Sequence, residues 1–172
     1  MRRVVRFFKN ITILVFLLVL SLSYYELSDM TTPVLIYKST GSMGAFSIDN
    51  HTYFYVPAVF LVLVNVLLAL LVRVLQGVPL AKLPIPQKAF WLSTPALRQQ
   101  LREVLMTWIY SLAIIINVFL TVMLVKVWMV NRNQGGQAFE YLWFLLIFLV
   151  FFIAWLGFIV YRLRLTREEF IT

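Results

Sequence analysis

Residues 53–72, 104–125 and 141–161 contain no charged side chain. Each run is about as long as the ~20 residues a helix needs to cross roughly 30 Å of hydrocarbon. Lipid offers no hydrogen bonds to the backbone, so such runs are expected to be helices. A fourth run, 11–25, is shorter. It becomes long enough only when Phe7 and Phe8 join it and Lys9 snorkels back to the headgroups. A signal peptide competes for this segment, with Arg2, Arg3, Arg6 and Lys9 as its basic start and Ser21-Leu22-Ser23 as a small-x-small site. The reading adopted is a retained anchor helix. The pattern thus predicts an all-α fold: an integral membrane four-helix bundle, one domain over 1–172, with spans at about 7–25, 53–72, 104–130 and 141–161.

The segments between the spans predict less regular pieces. In the first, residues 26–52, the Val34-Leu35-Ile36-Tyr37 run suggests a short strand. A Gly-rich turn at 39–44 and a second short apolar piece, 45–48, follow, so a small ordered hairpin is expected here. The segment 78–86 carries Pro79, Pro84 and Pro86 and is expected to be extended. Phe90 and Trp91 come where the chain returns to the bilayer, as expected of aromatic interface anchors. Thr94-Pro95 then reads as a helix start, with threonine as cap and proline at the first helical position. Leu97, Leu101 and Val104 share one face of that helix, with Arg98 and Arg102 a turn apart beside them. The third span should therefore begin before the membrane as one long helix. Gly135 and Gly136 mark a turn in the short polar loop 131–139, which makes spans three and four an antiparallel hairpin.

Composition agrees: 62% of residues are hydrophobic and 13% charged, against about 25% charged in a soluble domain. The net charge of +8 changes meaning once it is mapped. The stretches 1–10, 73–103 and 162–172 hold twelve of the 15 cations, against Glu103, Glu168 and Glu169. The other loops hold Lys38, Lys126 and Arg132 against Glu26, Asp29, Asp49 and Glu140. That is +9 on one side and −1 on the other, the split of the positive-inside rule with both termini cytoplasmic. The basic charge reads as topology and contact with anionic headgroups, about 1 kcal/mol per cation near the surface. It calls for no nucleic-acid partner.

Few residues offer chemistry. The chain has no cysteine, which excludes disulfides and thiolate sites, and His51 is its one histidine. A bis-histidine haem or a polyhistidine zinc site needs at least two, so His51 is expected to be a solvated loop residue. Asn50-His51-Thr52 matches a glycosylation sequon, meaningful only in a eukaryotic secretory pathway. The three long runs carry none of the ionisable residues that coupled transporters use. No cofactor, no metal site and no catalytic constellation is expected, and the protein is read as non-enzymatic.

Two side-chain patterns remain. Asn65 in the second span and Thr107, Ser111, Asn117 and Thr121 in the third are polar residues at membrane depth. The last four lie within a stripe about 120° wide at 100° per residue. Such a stripe serves either to hydrogen-bond helices together or to form a polar groove for a headgroup or small ligand. In the fourth span, Tyr141, Phe144, Phe148, Phe151, Trp155 and Phe158 recur at steps of three and four, a heptad seam of aromatics. It faces lipid, packs on another span, or docks a membrane partner. Phe144, Phe148, Phe151, Trp155 and Phe158 are the candidate partner contacts.

One stretch resembles a known family. Tyr37 and Gly41 in the first loop, Asn65-Val66-Leu67-Leu68 in the second span, and Ile85-Pro86-Gln87-Lys88-Ala89-Phe90-Trp91-Leu92 followed by Pro95 and Arg98 form a similar layout. It resembles the N-terminal domain of the bacterial SdpI-type immunity and signalling proteins, over about residues 24–117. Where that family's loop motif has histidine and asparagine, this chain has Ile36 and Lys38. The resemblance implies a non-enzymatic bacterial inner-membrane protein linked to immunity or signal reception.

Two functions follow as expectations. The first is an accessory subunit or immunity/sensor-like protein that works by lateral contact with a membrane-protein partner. The second is a small transporter or lipid-binding protein that uses the Asn65/Asn117 region as a groove.

Overall fold

The structure is a computed structural model that describes residues 2–28, 32–38, 45–132 and 141–164. Four of its helices are long and apolar enough to cross a membrane. They are α1 (Arg2–Ser28), α2 (Asn50–Gly77), α4 (Pro95–Arg132) and α5 (Tyr141–Arg164), with the five-residue α3 (Lys88–Leu92) between α2 and α4. Every one of the four runs past the uncharged stretch that predicts it. The added turns carry charge, which snorkelling side chains tolerate near a headgroup layer. The turns expected at 39–44 and at Gly135 and Gly136 lie outside the described residues.

The hairpin is present. Strands β1 (Val34–Lys38) and β2 (Ala45–Ile48) pair antiparallel, with Val34 opposite Ile48 and a bulge between Leu35 and Tyr37. Two strands alone are marginal in water, and this pair is pinned to α4. The Asn131 amide accepts from the Leu35 amide at 2.7 Å and donates to the Leu35 carbonyl at 2.8 Å. Asp49 caps α2, accepting from the Thr52 amide at 2.9 Å and from the Thr52 hydroxyl at 2.5 Å. Those two bonds, the hydroxyl's first, hold the Asp49 carboxyl below its ordinary range. His51, expected in a loop, is an exposed residue of the first turn of α2. Asn50 donates to the Leu27 carbonyl at 3.2 Å while its own carbonyl oxygen is buried, a poor setting for a glycan.

Helices α1, α2 and α4 form a three-helix core. The half nearer the hairpin buries Phe16, Leu20, Leu27, Tyr53, Leu61, Leu124 and Val127 under the Val34 strand. Val72, Met106 and Ile109 fill the space below. The fourth long helix, α5, packs chiefly along α4, less closely than α1 and α2 do. At the same end, the Thr94 hydroxyl accepts from the Leu97 amide at 3.2 Å and Pro95 opens α4, as the sequence predicts. A threonine cap of this kind contributes about 1 kcal/mol.

The segment before α4 departs from expectation twice. Leu80–Lys82 coils into a 3-10 turn where three prolines suggested an extended chain. More consequentially, Trp91 is fully buried, so its ring does not sit as a lipid-interface anchor, while Phe90 is half-buried. Trp91 fills a second core with Leu80, Leu101, Leu105, Ile159 and Leu163. The physical reason is the approach of α5, which brings apolar side chains and backbone carbonyls against this segment. The Trp91 indole donates to the Leu163 carbonyl at 3.1 Å, and the Gln87 amide donates to the Arg164 carbonyl at 2.8 Å. Gln87 holds a left-handed backbone, φ 49°, to do so. A non-glycine residue there costs on the order of 1 kcal/mol or more, which the hydrogen bond offsets.

Candidate functional site

The polar stripe splits in two, because α4 has a different neighbour on each side. On one side Asn117, fully buried, joins three helices. Its Oδ1 accepts from Asn65 Nδ2 of α2 at 2.9 Å, and its Nδ2 donates to Thr12 Oγ1 of α1 at 3.2 Å. The Asn65 amide also donates to the Leu61 carbonyl, and Thr121 donates to the Asn117 carbonyl at 2.7 Å. The two amides satisfy each other, as polar groups buried among apolar side chains must. This clasp accounts for Asn65, Asn117 and Thr121 as packing devices, while Thr107 is half-buried elsewhere on α4. Thr12 was missed in the sequence, because one hydroxyl in an apolar helix carries no periodic signal. A double-mutant cycle of Asn65→Val and Asn117→Val is expected to give a coupling of about 0.6 kcal/mol, the mean for such bonds in membranes. Unfolding in mixed micelles would measure it, and strictly additive losses would mean that the two amides do not meet.

Ser111 serves the other side. It accepts from the Trp155 indole of α5 at 2.9 Å and donates to the Trp108 carbonyl at 2.7 Å. Trp108 and Trp155 lie face to face, ring centroids 3.9 Å apart and planes 4° from parallel. Each indole also donates to the other's backbone carbonyl, at 3.2 and 3.3 Å. Nothing in a lone Trp108 signals this pairing. Above it, Phe119 of α4 meets Phe144 and Phe148 at 5.0 and 4.1 Å.

The aromatic seam of α5 is therefore divided. Phe144, Phe148 and Trp155 turn toward α4, and Phe152 continues their line, 6.3 Å from Phe148 and 5.7 Å from Trp155. Phe151 and Phe158 stand on the flank, 62% and 61% exposed. Phe144, Phe148, Phe152 and Trp155 form the half-buried line of α5, which drifts off the heptad at Phe151 because a straight helix has 3.6 rather than 3.5 residues per turn. The side chain of Tyr141 lies outside those described.

On that flank α4 and α5 diverge around a groove of about 350 Å³. Ile114, Val118 and Phe119 line it from α4, and Phe148, Ile147 and Phe151 from α5. Its walls are hydrocarbon and aromatic rings, so it suits apolar matter and has no group for acid–base chemistry. Among the described residues, no group of three or more His, Asp or Glu side chains could hold a metal ion. No family model, curated protein or solved structure matches this chain.

Proposed function

We propose that this is a non-enzymatic multi-pass protein of a bacterial inner membrane, with both termini cytoplasmic. It works as an accessory subunit or immunity/sensor-like protein by lateral contact with a membrane-protein partner. The observation that carries this reading is the groove between α4 and α5. Its lining comes from the middle of α4 and the first half of α5, and Phe151 stands at its rim. The exposed rings offer shape, and in lipid association rests on packing. The alternative, a small transporter or lipid-binding protein, had its support in a polar groove at Asn65 and Asn117. With those amides bonded to each other, that support moves to the apolar groove, which would hold an acyl chain.

Phe151 and Phe158 are the residues to change, since Phe148 and Trp155 also hold α5 in place. Phe151→Leu with Phe158→Leu is expected to leave membrane level and melting unchanged. A stoichiometric partner seen in mild detergent should be lost. A partner retained in full by the double variant, or lipid as the sole companion of the parent, would overturn the reading.

The orientation rests on the charge split and on the ends at which the helices meet. The salt bridge of Arg2 to Glu103, at 3.5 Å, marks one end, and that of Arg132 to Glu26, at 3.8 Å, the other. With no native cysteine, single cysteines report position cleanly. Ser47→Cys in intact cells is expected to react with an impermeant maleimide, and Gln99→Cys only after lysis. The reverse pattern would invert the topology.

A further inference from the structure

We infer that the inner end of the bundle holds a site for one phosphate group, gripped by Arg98 and Arg102. The inference rests on the membrane reading for its source, an anionic lipid headgroup. The two arginines stand one turn apart on α4 and, with Pro79, Leu80, Ala81 and Leu92, line a cavity of about 340 Å³. This hollow exists because the 3-10 turn and α3 fold back beside the start of α4. Each guanidinium has one donor tied to the scaffold. Arg98 Nε donates to the Thr94 carbonyl at 3.4 Å, and Arg102 Nη1 donates to the Gln76 carbonyl near the end of α2. These bonds orient both side chains and leave terminal N–H groups for a ligand. Paired guanidinium forks match the oxygens of a phosphate better than two ammonium groups would.

Charge and depth agree with this. The cavity lining holds no acid, and the neighbouring Glu103 is paired with Arg2. Arg102 lies two residues before the uncharged run that begins at 104, so it sits where headgroups meet hydrocarbon. A free phosphate has no use for Pro79, Leu80, Ala81 and Leu92. A lipid phosphodiester does, since its glycerol and first methylenes need an apolar wall. Basic hollows between helices on the cytoplasmic side suit anionic headgroups. The site sharpens the diffuse lipid attraction of twelve cations into two named residues.

The test uses the full chain in mild detergent, with phosphatidylglycerol titrated and bound lipid read by native mass spectrometry. One phosphatidylglycerol is expected to remain bound where phosphatidylcholine does not. Arg98→Gln with Arg102→Gln should weaken retention at least tenfold. Because Arg102 also braces Gln76, Arg98→Gln alone serves as the fold-neutral variant and should weaken it several-fold, with Arg98→Lys weakening it less. Lys82→Gln, on the same segment but outside the cavity lining, should change nothing. A parallel melting series with inorganic phosphate separates the sources. Stabilisation by phosphate alone, lost with the arginines, would keep the site and assign it a soluble ligand. Equal phosphatidylglycerol retention by parent and folded double variant, with no phosphate effect, would overturn the site. Fractionation keeps the two readings apart: a parent absent from the membrane pellet would sink the membrane reading, while the phosphate series still tests the arginines.

Discussion

Trp91→Ala is expected to cost about 3–5 kcal/mol of stability, the range for truncating a buried Trp or Phe. The side chain is 0% exposed and lies among Leu80, Leu101, Leu105, Ile159 and Leu163. Truncation empties that core and removes the donor to the Leu163 carbonyl. Loss of that buried hydrogen bond adds to the cavity term. Unfolding in mixed micelles, followed by circular dichroism, would measure the change. Phe90→Ala, at a half-buried position, should cost clearly less. A loss below about 1 kcal/mol for Trp91→Ala, within the range of an exposed or tolerant site, would return the residue to the lipid interface.

Trp155→Leu should loosen α5 from α4. The indole stack is worth about 0.5–1.5 kcal/mol beyond its buried area. The bonds from Trp155 to Ser111 and to the Trp108 carbonyl add about 0.6 kcal/mol each. Leucine keeps the helix apolar, so the expected loss is about 2–3 kcal/mol with insertion intact. The parallel indoles should give a coupled near-ultraviolet dichroism signal in the parent, and this signal should vanish in Trp155→Leu. Leu146→Ala and Ile153→Ala, both on exposed positions of α5, should stay within about 0.5 kcal/mol of the parent. An unchanged near-ultraviolet spectrum in Trp155→Leu would mean the rings are not stacked.

Both predictions concern residues whose role is visible only in three dimensions. Trp91 reads along the chain as an amphipathic ring beside a membrane entry, which is the profile of an interface anchor. Only the approach of α5, some seventy residues later, supplies the Leu163 carbonyl that its indole meets. Trp108 and Thr12 share the difficulty: each is one residue in a long apolar helix, and its partner lies on another helix.

The elements themselves were legible because their causes are local. Uncharged length dictates a helix in lipid, Thr94-Pro95 dictates where α4 starts, and a strand–turn–strand pattern gives the hairpin. The grouping of arginines at one end follows from the same reading. Which face of each helix turns inward is another matter. In a soluble helix the buried face is apolar and the exposed face polar, so periodicity points to the core. Here the exposed Phe151 and the half-buried Phe152 are equally apolar, and hydropathy cannot tell a lipid contact from a protein one. The heptad through Phe148, Phe151 and Phe158 therefore captured part of the packing line and missed Phe152. Polar residues were better guides, and Asn65 with Asn117 stood out as anomalies. Even so, which side chains they bond was decided by where α1 and α2 lie around α4, since Thr12 and Asn65 come within reach of Asn117 only when those helices pack.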